Sequence, residues 1–142
     1  MEQNYKNHVK LVPMFHYFVV PILLVNFAWS VRTAEHDLSA DTVIASVTAL
    51  ALLLLAFLLR RMALTVQTRV IRLEMRLRMQ EILPADLKAR ILEFQPGQLV
   101  ALRFASDAEL PELARKVLNE KLTDQKAIKM MVRDWQGDFL RA

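Results

Sequence analysis

The sequence contains no cysteine. Disulfide staples, thiolate metal sites and cysteine nucleophiles are therefore excluded. Glycine occurs only at Gly97 and Gly137, so there is no glycine-rich phosphate loop and there are few tight turns, as in a helical chain. The histidines are His8, His16 and His36, and none belongs to an H-E-x-x-H or comparable ligand spacing. Ser106 is the last serine in the chain. No histidine lies near it in sequence and no nucleophile elbow surrounds it, so a non-enzymatic protein is expected.

What is present is unevenly distributed. Hydrophobic residues make up 54% of the 142 residues, yet mean hydropathy is only +0.23. Both are averages over the chain, and the order adds what they omit: the long apolar runs lie before residue 60. Net charge is +4, and sixteen of the nineteen Lys and Arg residues lie at or after Arg60. A basic face of this kind suits anionic lipid headgroups, an acidic protein patch or nucleic acid. The residues from 84 onward bury a thin core and need support from a membrane or a partner.

Leu11 to Val31 contains no Asp, Glu, Lys or Arg. As a helix it is ~31 Å long, the thickness of the hydrocarbon core. Pro21 is tolerated in such a span and is expected to kink it. Phe15 and Tyr17 near one end and Trp29 near the other suit the two membrane interfaces. The rival reading, a secretory signal with Lys6 and Lys10 as its basic head and Ala28-Trp29-Ser30 as a cleavage site, is disfavoured by the length of the apolar run. Val43 to Leu59 is a second charge-free run, with Asp41 and Thr42 as candidate caps and Arg60 and Arg61 placed to reach headgroups. Ala45, Ala49 and Ala56 fall on one face, the expected seam with the first span. His16, inside the first span, is a candidate axial ligand for a haem or chlorophyll metal; its other reading is an interfacial histidine bonded to headgroup, water or backbone. Asn26 and Ser30, one turn apart, are expected to bond between helices.

Basic residues flank the outer ends of both runs: Lys6 and Lys10 before the first, Arg60, Arg61, Arg69, Arg72, Arg76 and Arg78 after the second. The connecting stretch carries Arg32 against Glu35, Asp37 and Asp41. The positive-inside rule then puts both termini in the cytoplasm. The expected organisation is an N-terminal cytoplasmic segment over 1–10, spans over 11–31 and 42–61 joined by a loop over 32–41, a basic amphipathic stalk over 62–83 and a cytoplasmic helical domain over 84–142. The fold class is an all-α membrane protein: an antiparallel two-helix transmembrane hairpin whose long second helix continues into a small cytoplasmic helical domain.

No Gly or Pro interrupts Asp41 to Leu83, so one continuous helix is predicted. Met62, Val66, Val70, Leu73 and Leu77 make one apolar stripe; Ile71, Met75 and Met79 make a second on another face. Arg69, Arg72 and Arg76 lie between the strips, and Glu74 and Arg78 have the spacing of an i,i+4 pair. One strip is expected to hold the chain's own C-terminal helices, the other a partner or a second copy, unless the helix lies on the membrane surface with its arginines on headgroups. Beyond Pro84 four short helices are predicted: Pro84–Glu93, Pro96–Ala105, one from Ser106 to about Lys121 opened by the Ser106/Glu109 capping-box spacing, and one capped by Thr123, with Ile128, Met131, Val132 and Trp135 inward, ending at Gly137.

The run Ala101-Leu102-Arg103-Phe104-Ala105-Ser106-Asp107-Ala108-Glu109-Leu110-Pro111 carries a resemblance, together with Gln3-Asn4-Tyr5-Lys6-Asn7-His8, Pro13, His16, Pro21 and the arginine-rich stretch from Arg69 to Arg78. The chain resembles a family of small bacterial inner-membrane proteins with two predicted spans and no assigned activity. The resemblance implies a bacterial inner membrane and the topology above, and it implies no cofactor or site. The leading expectation is an accessory or scaffold subunit of a membrane assembly, with membrane lipids and a membrane-protein partner or further copies of itself as partners. The alternatives are a cofactor-bearing subunit using His16 and an anionic-lipid-binding protein using Arg69, Arg72 and Arg76. Nucleic acid is not expected, because no helix-turn-helix signature or interleaved aromatics accompany the arginines.

Overall fold

Long stretches free of helix breakers should wind into long helices, and they do. The computed structural model describes residues 4–5 and 11–138. The described chain is all-α; its β-type pairing is one isolated antiparallel bridge, Ala105 to Trp135. Lys6, His8 and Lys10 lie outside the described residues. The chain divides into two units, Lys10–Leu64 and Thr65–Arg141.

The N-terminal unit holds α1 (Val20–His36) and most of the first half of α2 (Ala40–Ile82). Met14–His36 and Ala40–Ile82 are both long and apolar enough to cross a membrane. Met14–Val19, ahead of α1, is wound as a π-helix, with the Val20 N–H donating to the Phe15 carbonyl. The winding thus changes from π to α next to Pro21. α-Helical turns begin at Val20 and Pro21 sits in the first of them, where a missing N–H costs little. α1 runs on to His36, so the connection shrinks from the expected 32–41 to 37–39. Ser39 and Thr42 exchange N–H···O bonds, at 3.0 and 3.3 Å, across the first turn of α2. This reciprocal cap belongs to Ser39, not to Asp41.

Shielded positions recur every four or three residues on both helices of this unit. They include His16, Val20, Leu23, Phe27, Ser30 and Ala34 on the first, and Thr42, Ser46, Ala49, Leu53, Ala56 and Arg60 on the second. That alternation is the signature of a helix–helix seam. Ser30 and Ala49 are its buried members, and small side chains there let backbones approach. Ala45, expected on the seam, is exposed and Ser46 takes its place. The reason is phase: Leu53 and Arg60 alternate with Ala49 and Ala56, and the same four-and-three steps run back through 46 and 42 and pass Ala45 by.

α2 is unbroken to Ile82, and Pro84 disfavours helical dihedrals at the residue before it. The C-terminal unit packs Ile71, Met75 and Met79 of α2, and Leu83 just after it, against α3 (Ala85–Lys88), a 3-10 turn (Ile91–Glu93), α4 (Pro96–Leu102), α5 (Leu110–Asn119) and α6 (Gln125–Met131). α4 contacts both α5 and α6, and α3 contacts α5. The buried Gln98 is satisfied at both ends, its Nε2 donating to the Leu122 carbonyl at 2.7 Å and its Oε1 accepting from the Gln95 N–H at 2.7 Å.

Helix ends differ from expectation where a tertiary bond competes. Pro84–Glu93 is two short pieces, and α4 stops at Leu102 rather than Ala105. α5 starts at Leu110. The Glu109 N–H donates to Ser106 Oγ at 3.4 Å, but the Glu109 carboxylate does not return the bond to Ser106. α5 ends at Asn119 with Lys121 at φ 50, the Lys121 N–H donating to the Leu118 carbonyl and the Leu122 N–H to the Val117 carbonyl. This is a Schellman ending with lysine where glycine is usual. Asp124, not Thr123, caps α6, its carboxylate accepting from the Lys126 and Ala127 N–H groups. α6 ends at Met131, so Val132 to Asp138 is not helical and Trp135 is not on a helix face.

Candidate functional site

The ALRFASD run is a cradle for the chain's last described segment. α4 ends at Leu102 and the backbone turns over Phe104 and Ala105, both fully buried. The Ser106 N–H donates to the Asp134 carbonyl at 3.1 Å, and the Gln136 N–H donates to the Phe104 carbonyl at 2.7 Å. Phe104 and Trp135 stack with centroids 4.4 Å apart. The Glu109 carboxylate accepts from the Arg133 N–H at 2.9 Å and the Asp134 N–H at 3.0 Å. Arg103 pairs with Asp138 at 3.2 Å.

Arg78 ties α2 to this cradle. Its Nε donates to Asp107 Oδ1 at 2.8 Å, and its Nη2 to the Ala105 carbonyl at 2.7 Å and Gln136 Oε1 at 2.9 Å. The expected Glu74–Arg78 pair does not form, because a planar guanidinium fork is better satisfied by several converging oxygens. Beside the fork lies an open groove lined by Ile71, Glu74, Met75, Arg78, Arg103 and Gln136. The arrangement positions backbone against backbone; it brings together no nucleophile and base.

α2 presents its two apolar strips differently. Ile71, Met75 and Met79 are at most 6% exposed, consumed by the C-terminal core. Val66, Val70, Leu73 and Leu77 are 61, 48, 62 and 54% exposed, and Met62 likewise faces outward. At ~100° per residue the two strips of the C-terminal unit stand about 180° apart on the helix. Arg61 and Arg69 are exposed; Arg60, Arg72 and Arg76 are half-buried.

His16 is half-buried in the π-wound turn. Its Nδ1 lies 2.9 Å from the Val12 carbonyl and 3.1 Å from the Val12 N–H, and its ring meets Phe15 edge-on at 5.2 Å. One imidazole nitrogen is thus engaged by backbone one turn away. Asn26 is exposed, and Ser30 donates to the Phe27 carbonyl of its own helix at 2.9 Å rather than across to a neighbour. No group of three or more metal-ligating side chains occurs among the described residues. Of the expected seam residues, Ala49 is buried, Ala56 half-buried and Ala45 exposed.

Sequence reasoning missed Arg78, Glu109 and the Phe104–Trp135 stack as parts of one network. A signal was present: Asp134, Gly137 and Asp138 are poor helix residues, so continuing the last helix to Gly137 ran against composition. Comparison with curated proteins and with solved structures gives no match. A family of unknown function, DUF6526, matches the chain over residues 1–142, and the chain belongs to that family.

Proposed function

We propose that this chain is a two-span protein of the bacterial inner membrane, both termini cytoplasmic, serving as a non-enzymatic accessory or scaffold subunit of a membrane assembly. The observation that carries the reading is the outward stripe Val66, Val70, Leu73 and Leu77, a row of large apolar side chains left at the surface opposite the buried Ile71, Met75 and Met79. Contiguous exposed apolar surface of this kind marks an interaction site. Arg60 and Arg61, directly after the apolar run, suit anionic headgroups on the cytoplasmic side. In this reading the cradle of Arg78, Phe104 and Glu109 supports the surface of the C-terminal unit and performs no chemistry.

Native purification of the full chain in mild detergent tests the reading. A complex larger than one chain is expected. A monodisperse monomer with no associated chain overturns the scaffold role, and a reporter at Ala142 found outside the cell overturns the topology.

A further inference from the structure

The outward stripe has a register that identifies its occupant. Val66, Val70, Leu73 and Leu77 follow one another at four, three and four residues, the alternation of a two-helix coiled-coil seam. With Val70 and Leu77 at heptad position a, and Val66 and Leu73 at d, Arg69 and Arg76 fall at g, and Glu74 and Glu81 at e. One flank of the seam is basic and the other acidic. Among the described residues none of these four charges joins an ion pair within the chain, although Arg78, one step off the seam, is fully engaged.

In a parallel pair of helices each g residue faces the partner's e residue five positions on. Arg69 then meets Glu74 of the partner subunit and Arg76 meets Glu81 of the partner subunit, each contact occurring twice by the two-fold axis. In an antiparallel pair g faces g and e faces e, which would set arginine against arginine and glutamate against glutamate. Copies inserted in one membrane share one topology, so their α2 helices run parallel, the arrangement in which these charges attract. Two heptads make a weak zipper in free solution; confinement of both copies to a bilayer raises their effective concentration.

From this juxtaposition we infer that the stripe Val66–Leu77 is a parallel homodimer seam, its register set by Arg69 and Arg76 against Glu74 and Glu81 of a second copy. The inference rests on the scaffold reading and names the first partner of that scaffold as the chain itself.

The absence of native cysteine makes the test direct. In the full chain in membranes, Val70→Cys and Leu73→Cys are expected to form disulfide-linked dimers on mild oxidation at least about tenfold faster than Thr68→Cys and Arg72→Cys on the other side of α2. Adding Arg69→Glu with Arg76→Glu, or Glu74→Arg with Glu81→Arg, to the Leu73→Cys chain is expected to reduce its crosslinking about tenfold. Co-expression of the two charge-swapped chains is expected to restore it as a heterodimer. Equal crosslinking on both sides, none on the stripe, or no recovery in the mixed pair overturns the seam. If the stripe cysteines stay unlinked while a different chain copurifies stoichiometrically, the homodimer falls and the scaffold reading stands. A monomer without associated chains ends both.

Discussion

The two units handle their polar groups in opposite ways. In the N-terminal unit, three side-chain hydroxyls bond within their own helix: Ser30 Oγ to the Phe27 carbonyl, Thr33 Oγ1 to the Trp29 carbonyl and Ser46 Oγ to the Thr42 carbonyl, each at 2.9 Å. In the C-terminal unit, polar side chains bond across long stretches of sequence, as Arg78 does to Ala105, Gln98 to Leu122 and Glu109 to Arg133. Apolar groups are inverted as well. Ile22, Trp29, Leu54 and Phe57 of the N-terminal unit lie at the surface, and its buried residues are Ser30 and Ala49. The C-terminal unit buries Phe104, Met79, Leu99 and Ile128 completely. The difference fits the membrane placement proposed for the N-terminal unit. In lipid, backbone polar groups are satisfied within the helix and apolar side chains have no reason to hide. In water the hydrophobic effect closes a core, and long-range hydrogen bonds then fix its register.

The comparison breaks most easily at Phe104. Phe104→Ala should destabilise the C-terminal unit by about 3–5 kcal/mol, because it removes a fully buried ring and leaves the Trp135 stack empty. The equivalent truncation of the exposed Phe57 should leave unfolding of that unit unchanged. Thermal unfolding of the full chain in detergent, in a Trp29→Phe background and followed by the fluorescence of Trp135, reads both. Equal losses would mean that the two units are not separate in their energetics.

A charge probes the solvent itself. Leu54→Arg in the N-terminal unit should cost about 2.5–3.5 kcal/mol of membrane insertion, whereas Leu92→Arg, at an exposed site of the C-terminal unit, should change stability by less than about 0.5 kcal/mol. Resistance to alkaline extraction measures the first and thermal unfolding the second. A Leu54→Arg chain that stays as firmly in the membrane as the parent would place this face of α2 in water or against protein.

Hydrogen-bond deletions should divide the units too. Arg78→Ala removes three donors from the cradle and should cost the C-terminal unit about 1.5–3 kcal/mol. Ser30→Ala loses a bond to a carbonyl that already belongs to its helix and should cost under about 1 kcal/mol. Denaturation of each variant in the same detergent gives the ratio; a larger loss for Ser30→Ala would show that its hydroxyl serves the seam and not its own turn.

The same contrast explains what the sequence made legible. The long helices are visible because their cause is local: no charge from Leu11 to Val31, no Gly or Pro from Asp41 to Leu83. The separation of α2's apolar residues into two strips is visible from spacing alone, and the inner strip, Ile71, Met75 and Met79, indeed meets the chain's own C-terminal helices. The cradle was not legible because its causes lie far apart. Glu109 has capping-box spacing from Ser106, yet the amides of Arg133 and Asp134 offer its carboxylate two donors at once. Trp135 has helical spacing from Ile128, yet the stack on Phe104 and the Ala105 bridge draw it into an extended segment. Ala45 shares a face with Ala49 and Ala56 by spacing, yet Ser46, nearly as small, takes the seam position and Ala45 is exposed.

The smallest expected effect concerns pH. The C-terminal unit carries surface ion pairs between Arg115 and Asp86 and between Arg90 and Glu93. The hydrogen bond from Arg115 lowers the Asp86 pKa, and that from Arg90 lowers the Glu93 pKa. A carboxyl with a folded pKa below its unfolded one binds fewer protons when folded. Its contribution is complete above the ordinary carboxylate range and disappears as pH falls through the lowered folded value. Acidification from about pH 6 to about pH 3 should therefore reduce the unfolding temperature of the C-terminal unit, less so at high salt, because exposed pairs are screened. The double variant Asp86→Asn with Glu93→Gln should show a shallower fall at low salt than the parent. If its fall is as steep, the pairs of Asp86 with Arg115 and Glu93 with Arg90 are not the source of the acid sensitivity.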